Sequence, residues 1–384
     1  MYSFRSAWKT ISDPRFEATP DSLSVSYLPS LDGLRAISII IVIAGHCLRR
    51  TSWERYVNGV TGVMIFFAIS GFLITTLLLK EQVETGSVSL RRFYIRRFLR
   101  IVPVAYLFLL VVIGLNHVFA LHIGGVDFLL AFLYLKNFST LFPTAWQTGH
   151  FWSLAVEEQF YFLIPFLLTR YYRFCIRLIF VLLLAVPLVN LLYYHSHVTG
   201  IPKIILGTVF DVFGTGMTSI LLGSLCAILL FKGMIPPRLL TKYRHLAPLL
   251  VILLVVGHFD FTFGGWSTFW MFLMPPMSAA AVLLSLQPGT WFYRLLNTPL
   301  LKRIGILSYS IYIWQQLFTS DQPWAHAFPH GGALWINIPA LVVVACASYY
   351  LFEKKFLKLK ERFTRRRADL VYAHKPELSS PPAG

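Results

Sequence analysis

The sequence predicts an all-α integral membrane protein of about ten transmembrane helices, with one short re-entrant or interfacial segment and both termini cytoplasmic. Three observations predict it. Of 384 residues, 56% are hydrophobic and only 13% charged, whereas a soluble protein carries about a quarter charged residues. Apolar runs of about 18 residues or more recur along the chain, long enough to cross a bilayer. Lysine and arginine concentrate in alternate loops between those runs, as on the cytoplasmic side of membrane proteins.

The elements follow in order. Residues 1–30 are mixed polar, with no cleavable signal pattern, and form a cytoplasmic N-terminal segment. Apolar helices are predicted at 31–49, 60–79, 101–119, 151–169, 174–194, 206–231, 246–262, 266–286, 304–320 and 333–352. The stretch FLLAFLYLKNFST, 128–140, would make a helix of only about 20 Å, too short for a core of about 30 Å. If it does not cross, the loops that carry LRRFYIRRFLR, RYYRFCIR, KGMIPPRLLTKYRH and LLKR all fall inside with the basic tail. The outside loops after 120 then hold little beyond Lys136 and Lys203, and CLRRTSWERY is the one outside loop that breaks the pattern. The transmembrane domain is predicted over 31–355, and a basic, then disordered, cytoplasmic tail over 356–384. No period of repeats is visible.

The net charge of +17 raises nucleic-acid binding, but the loop placement of the basic residues explains the charge without it. Cys47, Cys175, Cys226 and Cys346 lie in or beside apolar runs with no ligand-like spacing, which suits small core fillers. No metal site is predicted.

Ionisable residues inside spans are costly and mark cavities or pathways. The first span reads RAISIIIVIAGH, with Arg35 and His46 eleven residues apart. Eleven helical steps bring them within about 20° of one face, about 16 Å apart along the axis. One face thus joins a cation at the inner surface to an imidazole in the outer half, with Asp32 one turn before Arg35. A snorkelling arginine and a hydrogen-bonded core histidine are the bland alternative. In FWSLAVEEQFYFLIP, 151–165, Glu157 and Glu158 cannot share a helix face. Glu157 is placed at a depth similar to His46, as a general base's orienting carboxylate; a structural ion pair is the alternative. RRFYIRRFLRIVP, 91–103, sets five arginines in ten residues at the start of a span, suited to phosphate or equally to lipid headgroups. Ser70 and Gly71 are small residues in mid-span, where backbones can approach closely. SYSIYIWQQ gives a late span a face of Tyr309, Tyr312, Trp314 and Gln315, and buried Gln315 and Gln316 would need partners.

In this order, YLPSLDGLRAISIIIVIAGH, FFAISGFLITTLLLKE, RRFYIRRFLRIVP, FWSLAVEEQFYFLIP and SYSIYIW resemble the acyltransferase-3 family of bacterial integral-membrane acyltransferases over residues 27–355. The resemblance implies that His46 is the essential histidine and Arg35 its paired basic residue. It implies that Arg97 and Arg100 hold an acyl-CoA donor on the cytoplasmic side. Ser70 and Gly71 would match its SGF element, and Trp152, Ser153 and Glu157 its WSL-x-VE element. Many members place a histidine after SYSIYIW, where this chain has Gln315, so a second titratable group is absent there.

The expectation is therefore a multi-pass protein of the bacterial cytoplasmic (inner) membrane, with no bound cofactor and with acetyl-CoA (an acyl-CoA) as co-substrate. His46 and Glu157 would be catalytic. Arg35, Arg97 and Arg100 would bind the donor. Asp32, Ser70, Gly71, Trp152, Ser153 and Tyr309 would line the substrate path. The partners would be the lipid bilayer, acyl-CoA and a polysaccharide or lipid-linked glycan acceptor. Direct transfer and an acyl-histidine intermediate stay open at this point, as do a proton-coupled transporter and acylation of a small molecule.

Overall fold

In the computed structural model the described residues are 4–25, 27–54, 56–142, 144–195, 199–256 and 266–363. They contain helices and turns and no strand. The helices are α1 (Phe4–Ser12), α2 (Pro29–Cys47), α3 (Gly59–Thr85), α4 (Leu90–Val118), α5 (Gly125–Phe132), α6 (Trp146–Gly149), α7 (Phe151–Arg170), α8 (Tyr172–His195) and α9 (Ile201–Phe213). They continue as α10 (Thr215–Phe231), α11 (Pro237–Tyr243), α12 (Ala247–Val256), α13 (Trp266–Ser285), α14 (Trp291–Leu296), α15 (Pro299–Trp314), α16 (Gln316–Thr319), α17 (Leu334–Ala347) and α18 (Lys354–Glu361). Among the described residues, 8 helical segments are long and apolar enough to cross a membrane.

Local chemistry sets the boundaries. The Asn58 side chain accepts from the Val60 amide at 2.8 Å and starts α3, and Gly86, at φ 70°, ends it. That backbone conformation suits glycine, which has no Cβ to clash. Proline occupies the first turn of α2, α9, α11 and α15, where its missing N–H costs nothing.

Each predicted apolar segment falls on helix, with instructive differences. The third begins at Leu90 rather than 101. The arginine-rich stretch is therefore the first three turns of α4, not a loop, and its side chains keep helical register. The segment 206–231 divides at the extended Gly214 into α9 and α10. Residues 257–262 of the seventh segment, and 364–384 of the tail, lie outside the described residues. Of the ambiguous stretch 128–140, only 128–132 is helical, as the end of α5 (8 residues, about 12 Å long); 133–140 forms turns.

Lys136, counted with the outside loops, is 1% exposed and ion-paired to Asp127 at 2.7 Å. Asp127 also accepts from the Ala145 amide at 2.8 Å and from the Thr148 hydroxyl. The pair thus fastens α5 to α6. Lys136→Met would strand a buried carboxylate, so a loss of about 3–5 kcal/mol is expected. Thermal unfolding of the detergent-solubilised protein checks this; an unchanged midpoint would show the pair to be dispensable.

The core is built on α3, which packs against α2, α10 and α13. Small residues let the backbones touch. A Cβ added at Gly71 would sit 1.8 Å from the Ile220 carbonyl oxygen, and one added at Gly223 would sit 2.1 Å from that of Ala68. Gly71→Ala is therefore expected to force α3 and α10 apart at a cost of about 1–3 kcal/mol. The same unfolding measurement reads it, and an unaltered midpoint would sink the close-approach argument.

Candidate active site

A cavity of about 740 Å³ runs along one face of α3, from Val63 to Thr85. The 22 helical steps between them correspond to about 33 Å of helix. One end is charged: Lys80, Glu81 and Glu84 from α3, Arg96, Arg97 and Arg100 from α4, and Lys360 from α18. Arg35 and Glu157 follow further in. The other end is apolar with hydroxyls: Phe66, Ser153 and Tyr312 line it, and the Phe66 and Tyr312 rings are 6.2 Å apart.

The cations differ in how they are held. Arg96 is committed, to Glu81 at 3.3 Å and to the Phe363 carbonyl at 2.9 Å. Arg35 faces Asp32 at 3.6 Å, and Asp32 accepts from the Tyr27 hydroxyl at 2.6 Å. Burial, and then the bond to Asp32, push the Tyr27 hydroxyl above its ordinary range. Among the described residues, Arg97 and Arg100 have no carboxylate within ion-pair distance. The Arg97 guanidinium lies over Phe93 and Tyr161, at 5.7 and 5.5 Å. Glu157 accepts from the Ser70 and Tyr161 hydroxyls. Its neighbour Glu158 points elsewhere, with one carboxylate oxygen buried and without a hydrogen-bond partner among the described residues.

His46 lies beyond the apolar end. Its Nδ1 is 2.7 Å from the Gln315 side-chain oxygen, and its ring is edge-on to Trp146 at 5.3 Å. A Cβ at Gly59 would be 3.6 Å from Nε2. Gly59 is about one turn before Val63 on α3, and Gln315 about one turn after Tyr312 of α15, so the cavity stops about one helical turn short of the imidazole. Arg49 stacks on Trp146 at 4.1 Å. Arg49 and Arg50 both pair with Asp321, at 2.8 and 2.6 Å, so the loop that broke the charge pattern is locally compensated.

Three expectations are corrected. Glu157 is not the partner of His46; it lies in the cavity with Arg35, and Gln315 takes that place. The reason is that α7 starts inside the protein rather than at its surface. His150, just before it, is 3% exposed and packed among Phe108, Phe151 and Tyr312, so position 157 is deeper than counting from 151 implies. Second, of the predicted path residues, Ser70, Ser153 and Tyr309 line the cavity, but Asp32, Gly71 and Trp152 do not. Gly71 meets α10, Trp152 packs against Phe67 at 5.9 Å, and Asp32 holds Tyr27 and Arg35. Third, Lys360, predicted as tail, lines the cavity mouth because α18 folds back against α4.

A family model described as an acyltransferase domain matches residues 28–353. The chain belongs to the acyltransferase-3 family. Among relatives of this acyltransferase-3 chain, one from Staphylococcus aureus (strain COL) is 30% identical over 367 residues, covering 86% of this chain and 58% of its own. The O-acetyltransferase OatA of Staphylococcus aureus (strain NCTC 8325 / PS 47) is 28% identical over 324 residues, covering 78% of this chain and 52% of its own. The peptidoglycan O-acetyltransferase OatA of Listeria monocytogenes is 38% identical over 155 residues, 37% of this chain and 24% of its own. The acyltransferase-3 chain thus spans little more than half the length of the Staphylococcus relatives it matches. No solved structure matches it significantly.

Proposed function

We propose that the chain is a membrane O-acetyltransferase that carries an acetyl group from cytoplasmic acetyl-CoA to a glycan hydroxyl on the other side of the bacterial inner membrane. In this reading it has ten spans and cytoplasmic termini. One observation carries the reading: a long cavity begins at Arg97, Arg100 and Lys360, without carboxylate partners among the described residues, and stops about one turn short of His46. The guanidinium groups suit phosphates, and the apolar far end suits a thin acyl-bearing arm. Relatives named O-acetyltransferase, one of them for peptidoglycan, support the acetyl and glycan assignments.

A thioester carbonyl is already electrophilic, so the chemistry needs a deprotonated hydroxyl. His46 takes the hydroxyl proton as the oxygen attacks the carbonyl carbon. The C–S bond breaks, and the departing CoA sulfur receives the proton back from the imidazolium. Tyr312 and Ser153, hydrogen-bonded to each other at 2.5 Å and to the His150 carbonyl, line the cavity end beside which the thioester would sit.

The test is transfer of labelled acetyl from acetyl-CoA to surface glycan in membranes that carry the chain. Label dependent on the chain is expected. Its absence, with the protein folded and inserted, would remove the enzyme reading and direct attention to solute transport.

A further inference from the structure

His46 is usable as a base only if one ring nitrogen is free of its proton and aimed at the acceptor. A neutral imidazole has two tautomers, and the partner of one nitrogen selects which nitrogen is left open. Here that partner is an amide, which by itself selects nothing, because an amide can turn either its oxygen or its NH₂ to the ring.

The amide is not free to turn. Gln315 Nε2 donates to Gln316 Oε1 at 3.0 Å, and Gln316 Nε2 donates to the Trp146 carbonyl at 2.8 Å. A backbone carbonyl can only accept. Gln316 must therefore present its NH₂ to Trp146, its oxygen to Gln315, and Gln315 must present its own oxygen to His46. The carbonyl is itself fixed, because the Trp146 indole donates to Gln316 O at 3.1 Å and to Ser320 O at 2.7 Å. The Thr319 hydroxyl donates to the Gln315 backbone carbonyl at 3.0 Å and lies 3.4 Å from Gln315 Oε1, so it does not compete with this arrangement. Gln315 is 0% and Gln316 2% exposed, so water does not substitute for any link.

We infer that Gln316 is a positioning residue: through Gln315 it holds His46 as the Nδ1–H tautomer and leaves Nε2, beside Gly59, as the proton acceptor. The inference rests on the reading of His46 as the base. It gives this chain a neutral route to the orientation that a carboxylate supplies in a histidine–carboxylate pair, without placing a charge in the membrane.

The tautomer is read on the full-length protein in lipid, by nitrogen-15 resonances of labelled histidine, with His46 identified as the signal lost in His46→Ala. Wild type is expected to show a protonated Nδ1 and a bare Nε2, and Gln316→Met to show a mixture. Labelled acetyl transfer from acetyl-CoA should fall about ten- to a hundredfold in kcat with Gln316→Met, with the KM for acetyl-CoA within about twofold. The decisive variant is Gln315→Glu. A carboxylate accepts whichever way it turns, so it keeps the Nδ1–H tautomer without help, and it sets its second oxygen against the Gln316 oxygen. In that background Gln316→Met is expected to be neutral or favourable rather than harmful. An equal loss in both backgrounds would mark Gln316 as merely structural and overturn the inference. A wild-type ring protonated at Nε2 would overturn it directly, without reference to turnover. Full transfer activity in His46→Ala would overturn it from the other side, by removing the base, while the resonances still reported on the relay.

Discussion

His46→Ala is expected to lower acetyl transfer by about 10²- to 10⁴-fold, the range a positioned general base contributes, while acetyl-CoA still binds. The two effects separate because His46 lies outside the cavity. That cavity ends at Phe66, Ser153 and Tyr312, and the imidazole is about one turn further on. Initial rates in membranes matched for protein measure the first effect, and equilibrium binding of acetyl-CoA to the purified variant measures the second. Loss of the ring leaves the buried Gln315 oxygen without its Nδ1–H donor, at a cost of about 1–3 kcal/mol, so thermal unfolding is read alongside; the backbone carbonyl of residue 46 still receives the Ser320 hydroxyl at 2.7 Å. A variant as active as wild type would reduce His46 to a packing residue and leave the reaction without a base. Loss of binding as well as rate would show that the donor extends past the apolar end, and the division of labour between arginines and histidine would fail.

How much of this was legible in the sequence depends on whether the contact was local. The shared face of Arg35 and His46 follows from helical periodicity alone, and the structure keeps both on α2. That the described residues are all helix and turn, with 8 segments long and apolar enough to cross a membrane, follows from apolar length. The partner of His46 did not follow, because Gln315 is 269 positions away and no periodicity connects them. The only local sign was two adjacent amides at the end of an apolar helix, which had to find partners. Glu157 was misplaced for a related reason. Depth was counted from the start of an apolar run, but α6 and His150 are themselves packed in protein, which shifts the origin. Lys360 was invisible because its position depends on α18 turning back onto α4, a tertiary event behind a polar sequence that otherwise reads as tail.

Arg97→Ala and Arg100→Ala are each expected to raise the KM for acetyl-CoA about tenfold to a hundredfold, with a smaller effect on kcat. The magnitude is that of one hydrogen bond to a charged group, about 1.5–3 kcal/mol. The comparison with Arg96 makes the expectation specific. All three arginines line the same cavity within one and a half turns of α4, so a general effect of positive charge would weaken donor binding equally in all three variants. Arg96, however, is already bonded to Glu81 and to the Phe363 carbonyl. Arg96→Ala should therefore cost stability and the docking of the tail, with the KM changed by less than about threefold. Added salt sharpens the contrast, since screening over about 10 Å at 0.1 M weakens exposed charge attraction more than direct, partly buried phosphate contacts. Arg97→Lys should recover only part of the loss, because an ammonium cannot reproduce the two-pronged grip of a guanidinium. Equal KM values for wild type, Arg97→Ala and Arg100→Ala would mean that these arginines anchor the protein to lipid phosphates, and the donor would have to enter elsewhere. If all three alanine variants weaken binding alike, the arginines act as a diffuse field, and the paired and unpaired states seen along α4 carry no functional meaning.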